Sequence, residues 1–359
     1  MTDERHQLEI ALGKHHHRMM AAGIPYSDVE GVRAQAPSTW LEWLDYWTGR
    51  ALAYDELAAG AHGRGEHVTA SAHWVRTALC HHFGQFMVYE HPEEKAQARA
   101  AAAVAYRRAA PAFSPGATFL SVPTPVGPVP VVLRTPGGGP APCVILVPGL
   151  EATKEELHGW EGFYLDRGMA VAAIDGPGQG ELADRALVPA DYVVAVSAVV
   201  DRLSADTAVD ATRIGIMGVS LGGLLASMVA AHEHRLVAAA EVAGTFDTAS
   251  RWERANALSR RGHQFITKSP DEETTRRVVA DWTMAAVAAD IECPFLVVHG
   301  ELDVIVPLDQ AEAYAKAVPH AELVVVPGGN HVCNNLPHIV RPQVADWMRR
   351  SLDAAGGAR

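Results

Sequence analysis

The sequence predicts an α/β class protein: a mostly parallel central sheet flanked by helices, preceded by an all-helical segment. Three observations carry this expectation. Beyond about residue 112, short apolar runs such as CVILVPG and MAVAAID alternate with helix-like segments. A strand with no polar alternate has to be covered on both faces, as in a parallel sheet packed between helices. Before that point there is no convincing period-two run, and apolar residues recur at helical spacing. Finally, 359 residues with 48% hydrophobic content suffice for one large domain plus an attachment.

In WLEWLDYWTGRALAYDELAAGA, Trp40, Trp43, Leu44 and Trp47 fall at three- and four-residue steps, which predicts a helix. HVTASAHWVRTALCHHFGQFMVY repeats the pattern with Trp74, Ala78 and Phe86. PEEKAQARAAAAVAYRRAA opens with Pro92 and two glutamates, as helix N-termini do. The aromatic stripe is either core or pocket lining. TFLSVPTPVGPVPVVLRTPGGG reads as a hairpin of edge strands, because Pro and Gly interrupt its alternation.

The remaining elements follow in turn. CVILVPG is a strand, KEELHGWEGFYLDRG a helix ending in glycine, and MAVAAID a strand. ADYVVAVSAVVDRLSA is a helix, RIGIMG a strand, LGGLLASMVAAHE a helix and LVAAAEVAG a strand. Residues 245–290 are less regular. PFLVVHG, DQAEAYAKAV, ELVVVPG and LPHIVRPQVADWMRRSLDAA close the series as strand, helix, strand and helix.

The net charge of −12 disfavours nucleic acid and anionic membrane surfaces as partners. Cys80, Cys143, Cys293 and Cys333 form no C-x-x-C pair, and four scattered thiols suit a reducing compartment. MTDERHQLEI has no apolar h-region, and no apolar run reaches the roughly 18 residues of a membrane span. A cytoplasmic protein is the expectation. Despite 18 histidines, H-E-x-x-H is absent, and His232-Glu-His234 has the wrong spacing for two ligands on one helix face. No metal site is expected.

Between a buried strand and a helix lies GIMGVSLGG, in which Gly218-Val-Ser220-Leu-Gly222 fits G-x-S-x-G. At so sharp a turn the serine backbone is strained and its neighbours must lack side chains. The turn lifts a hydroxyl above the sheet edge, beside the free N–H of Leu221 at a helix N-terminus. A serine needs a base, and the base a third group to orient it. Asp303 follows the strand FLVVHG, and His331 follows the next, LVVVPGG. Residue type, order and strand-end position together point to a Ser220–Asp303–His331 triad. Taken singly, Asp303 is also a turn residue and His331 a loop histidine. A second oxyanion donor should come from the loop after CVILVPG, with the N–H of Leu150 as first choice and Glu151 next. IDGPGQGE lacks the Lys-Ser/Thr of a P-loop and the third glycine of a dinucleotide fingerprint, so it reads as a tight strand-end turn.

These residues resemble the α/β-hydrolase superfamily. PGLEATKEELHGWEGFYLDRGMAVAAIDGPGQGE, GVSLGG, HGELDVIVP and HVCNNLPHIVRPQVADW further resemble the subgroup of the 2,6-dihydroxypseudooxynicotine hydrolases and the fungal polyketide-shortening pigment hydrolases. The resemblance spans about residues 115–352 by motif. It implies an α/β-hydrolase fold, with residues 1–112 as a helical cap domain and residues 113–359 as the catalytic domain. It also implies hydrolysis of a carbon–carbon bond next to a ketone in an aryl ketone or β-dicarbonyl substrate, aromatic or polyketide-like. No metal or organic cofactor is called for, and a homodimer is plausible by the same resemblance. An additional glutamate is expected after the strand that follows the nucleophile helix; Glu253 is the first candidate and Glu241 the second. A surface or salt-bridge role is open for both. The same triad also serves a carboxylesterase, thioesterase, lactonase or acyltransferase. From a different class, a non-catalytic ligand-binding protein on this fold would be expected to lose a triad member. Trp40, Trp43, Trp47, Trp74 and Phe86 would help set substrate size if they face a cleft.

Overall fold

The computed structural model describes residues 4–357. The chain divides into two compact units, Met1–Ala117 and Thr118–Arg359.

The first unit is helical: α1 (Glu4–Ala22), α2 (Tyr26–Gln35), α3 (Trp40–Gly63), α4 (His67–Gln85) and α5 (Pro92–Ala109). The Thr39 hydroxyl caps α3 by accepting from the Glu42 N–H at 3.2 Å. Pro92 opens α5 with Glu93 and Glu94 in its first turn, which suits the positive end of the helix dipole. Trp40, Trp43, Trp47, Trp74 and Phe86 are all buried. The rings of Trp40, Trp43 and Trp47 meet edge to face at 6.2 and 5.7 Å. The Trp43 indole N–H donates to the Phe83 carbonyl of α4 at 2.8 Å, so burial leaves that polar atom paired. A Cβ at Gly84 would lie 3.1 Å from the Trp47 Cβ, which marks how closely α3 and α4 approach.

The second unit follows as β1 (Ala117–Val122), β2 (Val129–Arg134), β3 (Ala141–Val147), α6 (His158–Leu165), β4 (Ala170–Ile174), α7 (Pro189–Ser204), β5 (Val209–Val219) and α8 (Leu221–His232). It continues with β6 (Leu236–Val242), the short helices α9 (Thr248–Arg251), α10 (Ala257–Thr267) and α11 (Glu272–Val279), then β7 (Phe295–Gly300), α12 (Leu308–Ala317), β8 (Ala321–Val326) and α13 (Pro337–Gly357). The strands form one eight-stranded sheet in the order β1-β2-β4-β3-β5-β6-β7-β8. From β3 to β8 every pairing is parallel, and β2 runs antiparallel to β4.

Two local expectations are corrected. β2 is not an edge strand, because it lies between β1 and β4. Its proline is tolerated because pairing with β4 starts at Val131↔Ile174, while Pro130 contributes only a carbonyl, to the Asp175 N–H at 3.1 Å. The helix expected from Lys154 starts only at His158, because Lys154 makes tertiary bonds to the end of β4 instead.

The strands are apolar throughout because alternate residues feed two different cores. On β3, Cys143, Ile145 and Val147 pack into the layer that holds α7, α8 and α12. Val144 and Leu146 pack into the layer that holds α6 and α13. Burying each such side chain is worth about 1.5–3 kcal/mol, and a one-residue register slip would exchange the two sets. The parallel arrangement brings the carboxyl ends of β3, β5, β6, β7 and β8 to one edge of the sheet.

Candidate active site

At the carboxyl end of β5 the chain turns directly into α8 through Ser220, at φ 55° and ψ −123°. A non-glycine residue held there costs on the order of 1–3 kcal/mol, which the surroundings must offset. The Ser220 N–H donates to the Val242 carbonyl of β6 at 2.8 Å, and the Ser220 carbonyl accepts from the Gly223 N–H at 2.8 Å. The flanking glycines are sterically required. A Cβ at Gly218 would sit 1.9 Å from the Gly222 carbonyl oxygen, and one at Gly222 would sit 2.4 Å from that of Val147.

The Ser220 Oγ lies 2.9 Å from His331 Nε2, and His331 Nδ1 lies 2.7 Å from Asp303 Oδ2. With an ionised Asp303 as acceptor, Nδ1 carries the proton and Nε2 presents a lone pair to the serine hydroxyl. The Asp303 side chain is fully buried. Burial alone would raise its pKa, but the adjacent His331 and the N–H groups of Ile305 and Val306, 2.8 and 2.9 Å from Oδ1, hold it below the ordinary carboxylate value. The structure thus brings Ser220, Asp303 and His331 together.

Leu221 is the first residue of α8, and its N–H is one of the helix's unpaired donors. Leu150 lies in the turn after β3. A Cβ at Gly149, next to it, would be 3.1 Å from the Ser220 Cβ, so this turn abuts the serine. Among the described residues neither the Leu150 nor the Leu221 N–H donates to another protein group.

The two glutamates occupy unlike places. The Glu253 side chain is 73% exposed and pairs with Arg276 at 3.3 Å. Glu241, in β6 beside Gly218, is fully buried. Its Oε2 accepts from the Gly244 N–H, while Oε1 has no partner among the described residues. Burial pushes this carboxyl up to about 8, against the pull of the Gly244 N–H and with a further push from the charge of Asp303. It is therefore largely protonated at neutral pH, and it makes no hydrogen bond to Ser220 or His331.

Sequence reasoning missed three groups. His299 of β7 is buried, and its Nε2–H donates to the Val306 carbonyl at 2.9 Å, bracing the Asp303 turn. Burial lowers its pKa, which keeps the ring neutral. Its position inside an apolar strand, four residues before Asp303, was the available signal. The second is Lys154, buried with its ammonium 2.6, 2.7 and 2.8 Å from Glu155, Asp175 and Glu181. Burial opposes this charge, but the three carboxylates overcome it and raise the Lys154 pKa. The third is Gln179, whose amide reaches the Pro148 carbonyl at 2.6 Å. Nothing short of the folded chain pairs these last two with their partners.

Comparison with known proteins agrees with this architecture. A model of the prolyl oligopeptidase family matches residues 156–354, and a model of FrsA-like esterases matches residues 35–248. The chain is 36% identical to 2,6-dihydropseudooxynicotine hydrolase of Paenarthrobacter nicotinovorans, over 92% of this chain and 90% of that protein. The crystal structure of a 2,6-dihydroxy-pseudo-oxynicotine hydrolase superposes with a TM-score of 0.86 at 35% identity, covering 94% of this chain and 96% of the other. The α/β hydrolase psoB of Aspergillus fumigatus is 28% identical over 61% of this chain and 53% of its own. This chain therefore belongs to the α/β-hydrolase family and is an enzyme of that fold, a hydrolase.

Proposed function

We propose that the chain is a serine-dependent hydrolase using Ser220 as nucleophile, His331 as general base and acid, and Asp303 to orient and stabilise the imidazolium. The observation that supports this most directly is the unbroken hydrogen-bond chain, 2.9 Å from Ser220 to His331 and 2.7 Å from His331 to Asp303. The unpartnered N–H groups of Leu150 and Leu221 beside the serine suit an oxyanion. Residues 1–112 would form a helical cap domain and residues 113–359 the catalytic domain.

The proposed reaction is hydrolysis of a carbon–carbon bond next to a ketone, in an aryl ketone or β-dicarbonyl substrate. This reading is supported by the motif resemblance and by the likeness to the pseudooxynicotine hydrolase. The Ser220 Oγ adds to the carbonyl carbon as His331 Nε2 takes its proton, and the carbonyl electron pair moves onto the oxygen held by the Leu150 and Leu221 N–H groups. Collapse breaks the carbon–carbon bond. Its electron pair leaves on a carbon stabilised by an adjacent ring or carbonyl, and this carbon receives the proton from His331. Water, deprotonated by His331, then attacks the acyl-serine and releases the acid. One ketone and one water thus give one carboxylic acid and one protonated carbon product. In this reading His331 is the proton donor to carbon.

A second reading, ester hydrolysis by the same residues, is favoured by the match to the FrsA-like esterase model over residues 35–248. Mass spectrometry in ¹⁸O-water separates the two. Wild type and Ser220→Ala are given acyl phenols, β-diketones and matched esters. Serine-dependent ketone cleavage with label in the released acid is the expected result. Cleavage of the esters alone would leave an esterase, and unchanged turnover by Ser220→Ala would remove the triad.

A further inference from the structure

We propose that Gln179, together with the ion cluster around Lys154, forms a buried latch that sets the position of the Leu150 N–H, making Gln179 a positioning residue for the oxyanion. This inference rests on the serine-hydrolase reading above.

One segment after β4, residues 175–181, grips the loop after β3 at both ends. At the near end, the Gln179 Nε2 donates to the Pro148 carbonyl at 2.6 Å, with the Gly149 carbonyl at 3.5 Å. Its Oε1 accepts from the Tyr192 hydroxyl at 2.8 Å and from the Gly176 N–H at 3.3 Å. Two donors on Oε1 determine which way the amide points, so Nε2 has to face the loop. Proline has no N–H, so its carbonyl is the only backbone group by which Pro148 can be held.

At the far end, Asp175 accepts from the Lys154 N–H at 2.9 Å and from its ammonium at 2.7 Å. The same carboxylate accepts from the Glu181 N–H at 3.1 Å. Residue 180 has to be glycine for the segment to wrap this closely, since a Cβ there would lie 2.0 Å from Asp175 Oδ2. Glu155, Asp175 and Glu181 are close enough together to suggest a cation site, but the Lys154 ammonium already occupies their centre. The Asp175 N–H bonds the Pro130 carbonyl at 3.1 Å, which ties the latch to the sheet.

Between the two grips lie Leu150 and Glu151, the latter at φ 61°. The Leu150 N–H has no acceptor among the described residues, so no hydrogen bond of its own holds it in place. An oxyanion donor is effective only when its direction is settled before charge develops. Here the latch on one side and the contact of Gly149 with Ser220 on the other supply that direction.

The test uses the full-length protein and a fluorophosphonate probe. Ser220 Oγ bonds to phosphorus, fluoride leaves, His331 takes the serine proton, and the phosphoryl oxygen occupies the oxyanion position. Labelling rates of wild type, Gln179→Met and Tyr192→Phe are followed across pH, beside melting temperatures. Gln179→Met should label about 10²-fold more slowly, as when an oxyanion donor is lost, and Tyr192→Phe more slowly by a smaller factor. The plateau should fall while the midpoint of the pH profile stays in place, because the base is untouched. A Gln179→Met rate equal to wild type overturns the latch, and so does a slower rate with a shifted midpoint, which would mean that His331 has moved. If Gln179→Met does not fold, Tyr192→Phe decides: slowing at constant midpoint supports the latch, and an unchanged rate overturns it. Failure of the wild type to label at Ser220 is a separate outcome, which removes the serine reading and the latch's catalytic role with it.

Discussion

Two neighbouring strand ends each bury a carboxylate, and the two behave in opposite ways. At the end of β7, Asp303 accepts from two backbone N–H groups and from His331, and its pKa lies below the ordinary value. At the end of β6, Glu241 accepts from a single N–H, and burial pushes it up to about 8. The difference is one of donors supplied, since both side chains are out of water. Burial penalises either charge, and only hydrogen bonds and an opposite charge restore it. Charge is thereby concentrated on the one acid that faces the histidine.

The signs of the two pH effects are also opposite. Asp303, with its folded pKa depressed, contributes stability that is present above its unfolded value near 3.8 and is lost as pH falls through the lower folded value. Glu241, with its folded pKa raised, contributes stability that is fully present below 4.5 and is lost as pH rises from there through about 8.

The comparison can be broken at its strong end first. Asp303→Asn removes the charge while keeping the shape, so the imidazole tautomer and the imidazolium lose their support. Turnover should fall by about 10⁴-fold with the fold intact by circular dichroism; a loss of less than tenfold would deny Asp303 its role. Glu241→Gln sharpens the other end. It keeps an acceptor for Gly244 and removes an acid that must otherwise stay protonated. Denaturant titrations should show little gain below pH 4.5, a gain growing toward about pH 8, and a plateau on the order of a few kcal/mol. A gain independent of pH would mean that Glu241 is not protonated by its site. His299→Phe removes the donor to the Val306 carbonyl and should cost about 1–2 kcal/mol, with a moderate loss of kcat as the Asp303 turn loosens; unchanged stability would show that the brace is dispensable. Glu253→Gln should do least, shifting stability within about 0.5 kcal/mol with unchanged kcat and KM. A selective loss of kcat there would place it in the reaction.

Much of the site could be read in one dimension. Ser220 needs glycines around it because of clashes within the turn, which is a local requirement visible in GVSLGG. Asp303 and His331 follow apolar strands, and successive parallel strands deliver their ends to one edge. Leu150 and Leu221 become candidate oxyanion donors for the same reason. The surroundings of Glu253 and Glu241 could not be read this way. Glu241 sits in the apolar strand LVAAAEVAG, where its charge state depends on which N–H groups the next turn supplies. Glu253 stands among arginines, and its pairing with Arg276 of α11 joins segments 23 residues apart in sequence. Lys154 read as the start of a helix because its neighbours favour one, and the acid that outweighs that preference lies 21 residues away in sequence.

The amino-acid sequence alone determined the layered sheet, the order of its elements and the three residues at the strand ends, because hydrophobic periodicity and glycine sterics act between near neighbours. Tertiary structure decided which buried carboxylate is supplied with donors, which acids pair with Lys154, and which groups bond the loop that carries Leu150. Those outcomes depend on desolvation and on hydrogen bonds between distant segments, and neither exists until the chain has folded.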